Sequence, residues 1–83
     1  MTMPWSAQSE LTARETHALA LIASILEVEG RSPSLAEIMR RMGLSEKTQA
    51  ERVVATLRRR GLVARTGRRN SIRLTGRGQW RLS

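Results

Sequence analysis

Arginine carries the chemistry this sequence offers. Ten arginines and no acidic residue follow Glu51, whereas residues 1 to 51 hold five basic and seven acidic side chains. The formal net charge of +8 therefore comes from the C-terminal part of the chain. An uncompensated arginine block repels itself, and a polyanion is the partner that relieves the repulsion. Arginine rather than lysine points to forked contacts with phosphates and base edges. An acidic membrane surface attracts the same charge, but a surface-lying helix needs a broad apolar face opposite its cations. These arginines are spread over several elements instead.

Other chemistries lack their residues. The chain has no cysteine and a single histidine, His17. It has no Gly-rich phosphate loop, no acid or histidine cluster with metal spacing, and no nucleophile with a base beside it. Neither a catalytic set nor a metal site can be assembled from this inventory. No enzyme activity, cofactor or small-molecule ligand is expected. The methionines read as fillers of a small core.

The arginines need elements to position them. Residues 1–10, MTMPWSAQSE, show no periodicity and are expected to form a flexible arm, with Trp5 anchoring it to the core or a partner. Residues 11–83 form one small domain, whose core must be aliphatic because Phe and Tyr are absent. Thr12 and Glu15 make a capping box that starts a helix running to about Glu29. Ala18, Leu21, Ile22 and Ile25 recur along it at helical spacing, with Leu26 beside them, and Gly30 stops it. A second capping box, Ser34 with Glu37, opens a short helix with Leu35, Ile38, Met39 and Met42 inward, ended by Gly43. Leu44 and Ser45 form a tight turn, with Ser45 as the next N-cap. The third helix then runs to about Arg60, with Gly61 as its stop.

Two helices joined by so short a Gly-containing turn make a helix-turn-helix. Residues 62–66 read as a strand, 67–70 as a turn, and 71–75 alternate polar and apolar as a return strand would. The expected fold is mainly α (α+β), a three-helix winged helix-turn-helix with a C-terminal two-stranded β-hairpin as the wing. Gly76 and Gly78 argue against a long closing helix. Trp80 and Leu82 are expected to pack back on the core or across a dimer interface. The longest apolar stretch, residues 18–26, is too short to span a bilayer, and the N-terminus lacks a signal-peptide pattern. A cytoplasmic, nucleoid-associated location is expected.

On a wheel of about 100° per residue, Ala50, Val53, Val54 and Leu57 face one way on the third helix. Thr48, Arg52, Ala55 and Arg59 face the other, flanked by Gln49, Glu51 and Thr56. The N-terminal part of a recognition helix reaches deepest into the major groove. Thr48, Gln49 and Arg52 are therefore the first candidates for base edges. Arg52 suits guanine and Gln49 adenine, while Glu51 suits a cytosine amine or holds Arg52 in place. Arg68 and Arg69 sit at the tip of the wing, suited to phosphates or the minor groove. Arg65 and Arg73 flank them. Arg58, Arg59 and Arg60 end the third helix, where a favourable interaction with its C-terminus is one role and phosphate contact another. Ser34 is a cap whose helix N-terminus also favours a phosphate. Lys47, Thr56 and Arg59 complete the expected backbone contacts.

The segment LTARETHALALIASILEVEGRSPSLAEIMRRMGLS resembles the start of the DNA-binding domain of LexA-type repressors. The shared features are the opening Leu-Thr-Ala-Arg, the Gly before Ser-Pro-Ser, and the Glu-Ile of the second helix. The run RRRGLVARTGRRNSIRLTGRG is similar to winged regulators of the MarR type, with Gly-Leu-Val, the arginine wing and a closing Leu-Thr-x-x-Gly. Together the resemblance covers residues 10 to 78. The LexA likeness implies a repressor that binds a palindromic operator as a homodimer. It implies groove contacts at Glu46, Thr48, Gln49, Glu51 and Arg52. Several of these positions depart from the family, so no operator sequence is implied.

The self-cleaving protease domain of LexA and the dimerisation helices of MarR proteins lie outside these 83 residues. The expectation is a winged domain standing almost alone, as in small phage or mobile-element regulators. Two other readings compete: a winged protein-interaction module, such as a phage-type inhibitor of a host factor, and a non-specific nucleic-acid binder. The arginine-rich helix face and wing favour sequence-specific binding to double-stranded DNA. The lack of stacking aromatics counts against single strands.

Overall fold

Both halves of the Thr12 capping box form. In the computed structural model, which describes residues 11–67 and 71–82, the Glu15 N–H donates to Thr12 Oγ1 at 3.1 Å and the Thr12 N–H to Glu15 Oε1 at 3.0 Å. Helix α1 follows as Ala13–Ser24 and continues into a wide π turn, Ile25–Glu29. Gly30, at φ +67°, ends it. The expected helix thus has the right length but changes its winding in the last turn. Ile25 is buried there, while Val28 stands 79% exposed. The inward residues are Ala18, Leu19, Ile22 and Ile25. Leu19 takes the buried place expected of Leu21, which is half-buried. Both leucines flank one helical stripe, and tertiary packing selects the Leu19 side.

Helix α2, Leu35–Met42, starts at Ser34 and ends at Gly43 in the left-handed region. Helix α3, Lys47–Arg59, begins one residue later than expected, with Glu46 rather than Ser45 as N-cap. Strands β1, Val63–Thr66, and β2, Ser71–Leu74, pair antiparallel with Val63 opposite Leu74 and Arg65 opposite Ile72. The core joins Ala18, Leu19 and Ile22 of α1 with Ile38, Ala50, Val53, Val54 and Leu57, then Leu62, Val63 and Ile72 of the hairpin. Three helices and a wing therefore share one aliphatic core, as a winged helix-turn-helix requires.

The chain closes with a helix the two glycines had argued against extending: α4, Gly76–Leu82. Thr75 organises it. Its Oγ1 accepts from the Gly78 N–H at 3.0 Å and donates to the Gly61 carbonyl at 2.5 Å. Gly78 is buried, and a Cβ there would collide with the Leu62 carbonyl oxygen. The glycine is thus a close-approach residue and not a breaker. Trp80, two residues further round the helix, points away and is 75% exposed. The expectation that Trp80 packs back on the core is therefore corrected: the Gly78 side of α4 meets the core. Leu82, 40% exposed, lines a groove together with Ala23, Leu26 and Leu74. Among the described residues no helix is long and apolar enough to cross a membrane. The N-terminal arm with Trp5, and the wing tip with Arg68 and Arg69, lie outside the described residues.

Candidate nucleic-acid interface

Burial of Ala50, Val53, Val54 and Leu57 turns the opposite side of α3 outward. Thr48, Glu51, Arg52 and Arg59 are all exposed there. Arg52 forms no ion pair with another described residue, and Glu51 does not hold it. Its guanidinium fork is open to an external acceptor. Thr48 Oγ1 donates to Glu46 Oε2 at 3.2 Å, so these two side chains form one unit at the start of the helix.

Gln49 is arranged differently from its neighbours. Its Oε1 accepts from the Ser45 N–H at 3.0 Å, the Glu46 N–H at 3.1 Å and the Ser45 hydroxyl at 3.3 Å. The side chain folds back over the turn and satisfies donors that precede the helix. Its oxygen is already bonded, whereas pairing with adenine needs both ends of the amide. Further along, Arg59 Nη2 donates to Thr56 Oγ1 at 3.1 Å, which lays that arginine along the helix.

Beside α3 lies a groove of about 500 Å³, lined by Ser34, Lys47, Arg65 and Ser71 among others. Ser34 Oγ accepts from the Glu37 N–H at 3.0 Å, which caps the start of α2 beside this groove. The hairpin register explains why Arg65 joins it. Directly opposed residues share a face, so Arg65 lies with Ile72 on the face that carries the core. Arg73 pairs with Ala64 on the other face and is exposed. The two strand arginines are therefore separated: Arg65 stands with Lys47 and Ser34, and Arg73 lines an adjoining groove with Gln79 and Leu82, the two grooves sharing Arg31, Ser32, Ser71 and Ile72.

The sequence model of the LexA DNA binding domain matches residues 8–70. The chain belongs to that family. No curated protein matches it. A LexA-type domain binds double-stranded DNA in a sequence-specific way through its winged helix, and this chain is accordingly a DNA-binding domain of transcription regulation.

In this LexA-type domain the acids near α2 serve the scaffold. Arg31 forks onto Glu37, Nη1 to Oε1 at 2.7 Å and Nη2 to Oε2 at 2.6 Å. Its Nη2 also reaches Glu29 Oε1 at 2.7 Å. Arg41 joins both carboxylates, at 3.1 Å to Glu29 and 2.9 Å to Glu37. The carboxyl of Glu37 is held down to about 2, chiefly by the Arg31 hydrogen bonds and against the opposing effect of burial. Arg31 is correspondingly pushed above its ordinary value. The second capping box is thus only half formed, because the Glu37 carboxylate is taken by arginines instead of reaching back to Ser34. Two acids and two bases neutralise each other, so Arg31 and Arg41 are engaged within the fold.

Sequence reasoning missed this cluster, and it missed Ser32. The spacing of Arg41 four residues after Glu37 was a legible sign of one of its pairs. The loop contacts of Arg31 had no periodic sign.

Proposed function

We propose that the protein is a transcriptional repressor that inserts α3 into the major groove of a specific operator. Arg52 is the principal base-reading residue, with Thr48, Glu46 and Glu51 beside it. Lys47, Ser34 and Arg65 hold the flanking phosphates, and Arg68 and Arg69 of the wing take the backbone or minor groove. Thr56 and Arg59 extend the backbone contact toward the end of α3. A homodimer on a palindromic site is the arrangement such domains favour. The protein acts as a regulator and not as an enzyme.

The observation that carries this reading is the Arg52 fork, unpaired among the described residues, on an exposed helix face beside a groove that gathers Lys47, Arg65 and Ser34. Acids occur nearby, yet those of the scaffold are neutralised by Arg31 and Arg41.

Selection from a randomised duplex library, at physiological salt with excess competitor DNA, tests the proposal. One recovered motif supports a sequence-specific regulator, and an inverted repeat within it supports the dimer. Recovery of no motif refutes sequence reading and leaves charge-driven binding or a protein partner.

A further inference from the structure

The backbone N–H of Ile72 donates to the Ser32 hydroxyl at 2.8 Å, across 40 residues of sequence. Ile72 lies in β2, directly opposite Arg65 of β1. In an antiparallel pair only alternate residues exchange ladder bonds, so an N–H turned to Ser32 is an edge donor that needs an outside acceptor. Ser32 supplies one. It also donates to the Pro33 carbonyl at 3.3 Å, which orients the hydroxyl oxygen toward the strand.

The post that carries this hydroxyl is rigid for local reasons. Pro33 restricts Ser32 to extended conformations. Arg31, immediately before it, is fixed by Glu37 and Glu29. Ser34, two residues on, is fixed as the cap of α2. The wing is thus pinned to the same loop that starts the helix-turn-helix.

We infer that Ser32 is a positioning residue for DNA binding: it holds β2 so that Arg65, paired with Ile72, stands in register with Lys47 and Ser34 as one phosphate-binding row. Arg65 and Ser32 both line the groove that contains Lys47 and Ser34. A wing free to tilt at this point would carry Arg65 away from a row whose other members are on fixed helices. The inference rests on the DNA-binding mode proposed above.

The test is a double-mutant cycle with an exchange measurement, on the full chain and the selected duplex. Ser32→Ala is expected to speed hydrogen exchange of the Ile72 amide by about tenfold relative to the Val54 and Leu57 amides, because one partly buried donor loses its acceptor. It is expected to weaken duplex binding by about fivefold and to make the salt dependence shallower, with the base preference of α3 unchanged. Ser32→Thr, which keeps the hydroxyl, restores both. Arg65→Ala combined with Ser32→Ala is expected to bind no worse than Arg65→Ala alone, since Ser32 acts through Arg65.

Multiplying losses would overturn the inference, as would an Ile72 amide that stays protected in Ser32→Ala. A wild-type chain that binds no duplex selectively refutes the sequence-specific mode proposed above and this inference with it. A wild type that binds selectively, with a Ser32→Ala variant that binds identically, refutes only the role of Ser32.

Discussion

Replacing Gly78 with alanine separates helix propensity from tertiary packing. In an open helix, glycine to alanine raises stability by about 1 kcal/mol, because the chain loses less entropy on folding. Gly78 sits in α4 with its Cα against the hairpin entry. A Cβ there would strike the Leu62 carbonyl oxygen and approach the Leu62 carbonyl carbon at 3.1 Å and Leu74 Cδ2 at 3.2 Å. The Leu62 carbonyl cannot yield easily, since it accepts the Thr75 N–H at 3.1 Å and leads directly into β1. Overpacking of this kind costs about 1–3 kcal/mol, and the obstacle being backbone places the expected loss near the upper end.

A domain of this size holds roughly 4–12 kcal/mol in total, so the loss is a large fraction. At about 4–8 °C per kcal/mol it lowers Tm by roughly 10 °C or more. Gly76→Ala is the matched control: nothing lies within 4 Å of its Cβ position, and its backbone is not left-handed. It should melt at or slightly above wild type. Thermal melts followed by far-ultraviolet circular dichroism measure all three proteins. A Gly78→Ala variant as stable as Gly76→Ala would refute the close approach of α4 to the hairpin.

Four further perturbations address the site and its scaffold. Glu37 has a folded-state carboxyl near 2 against an ordinary 4.5, so its contribution is full above about pH 4.5 and is lost as pH falls toward 2. Glu37→Gln should therefore melt below wild type at pH 7, with the gap closing on acidification; a constant gap from pH 7 to pH 2 contradicts the Arg31 pairing. Gln49→Ala should cost about 1 kcal/mol of stability in urea unfolding through loss of the cap at Ser45 and Glu46, and a variant of unchanged midpoint would return Gln49 to base reading alone. Arg52→Ala should lose about 1–3 kcal/mol of discrimination at one base position, while Arg68→Ala with Arg69→Ala weakens all duplexes and flattens the salt slope. Competition binding across a single-substitution duplex set tells the two patterns apart, and equal loss on every duplex for Arg52→Ala refutes its assignment.

Much of the architecture was legible because local signals repeat the global fold. The Thr12 box, the glycine stops at Gly30, Gly43 and Gly61, and the alternation over residues 71–75 each mark an element by short-range chemistry. The inward face of α3 followed from spacing alone, and with it the outward position of Arg52. The individual roles on that face were less legible. Gln49 and Arg52 share the outward half of one helix, yet Gln49 turns back onto Ser45 through a contact that spacing does not encode. Glu37 looked like half of a capping box, and its backbone does serve that box while its carboxylate does not.

The residues of this chain determined on their own where most of the helices and strands begin and end, which side of α3 is apolar, and that ten arginines follow the last acid, Glu51. These are properties of near neighbours and of composition, so a linear reading reaches them. The fold alone decided that Ser32 meets Ile72 across 40 residues, that Arg31 closes on Glu37 and Glu29, that Arg65 and Arg73 fall on opposite faces of the wing, and that Gly78 admits no side chain. Each depends on two distant segments brought to a few ångströms by burial of a shared core. Hydrophobic burial is non-directional, so sequence periodicity shows that segments will pack and leaves the polar groups they bring together to the packing itself.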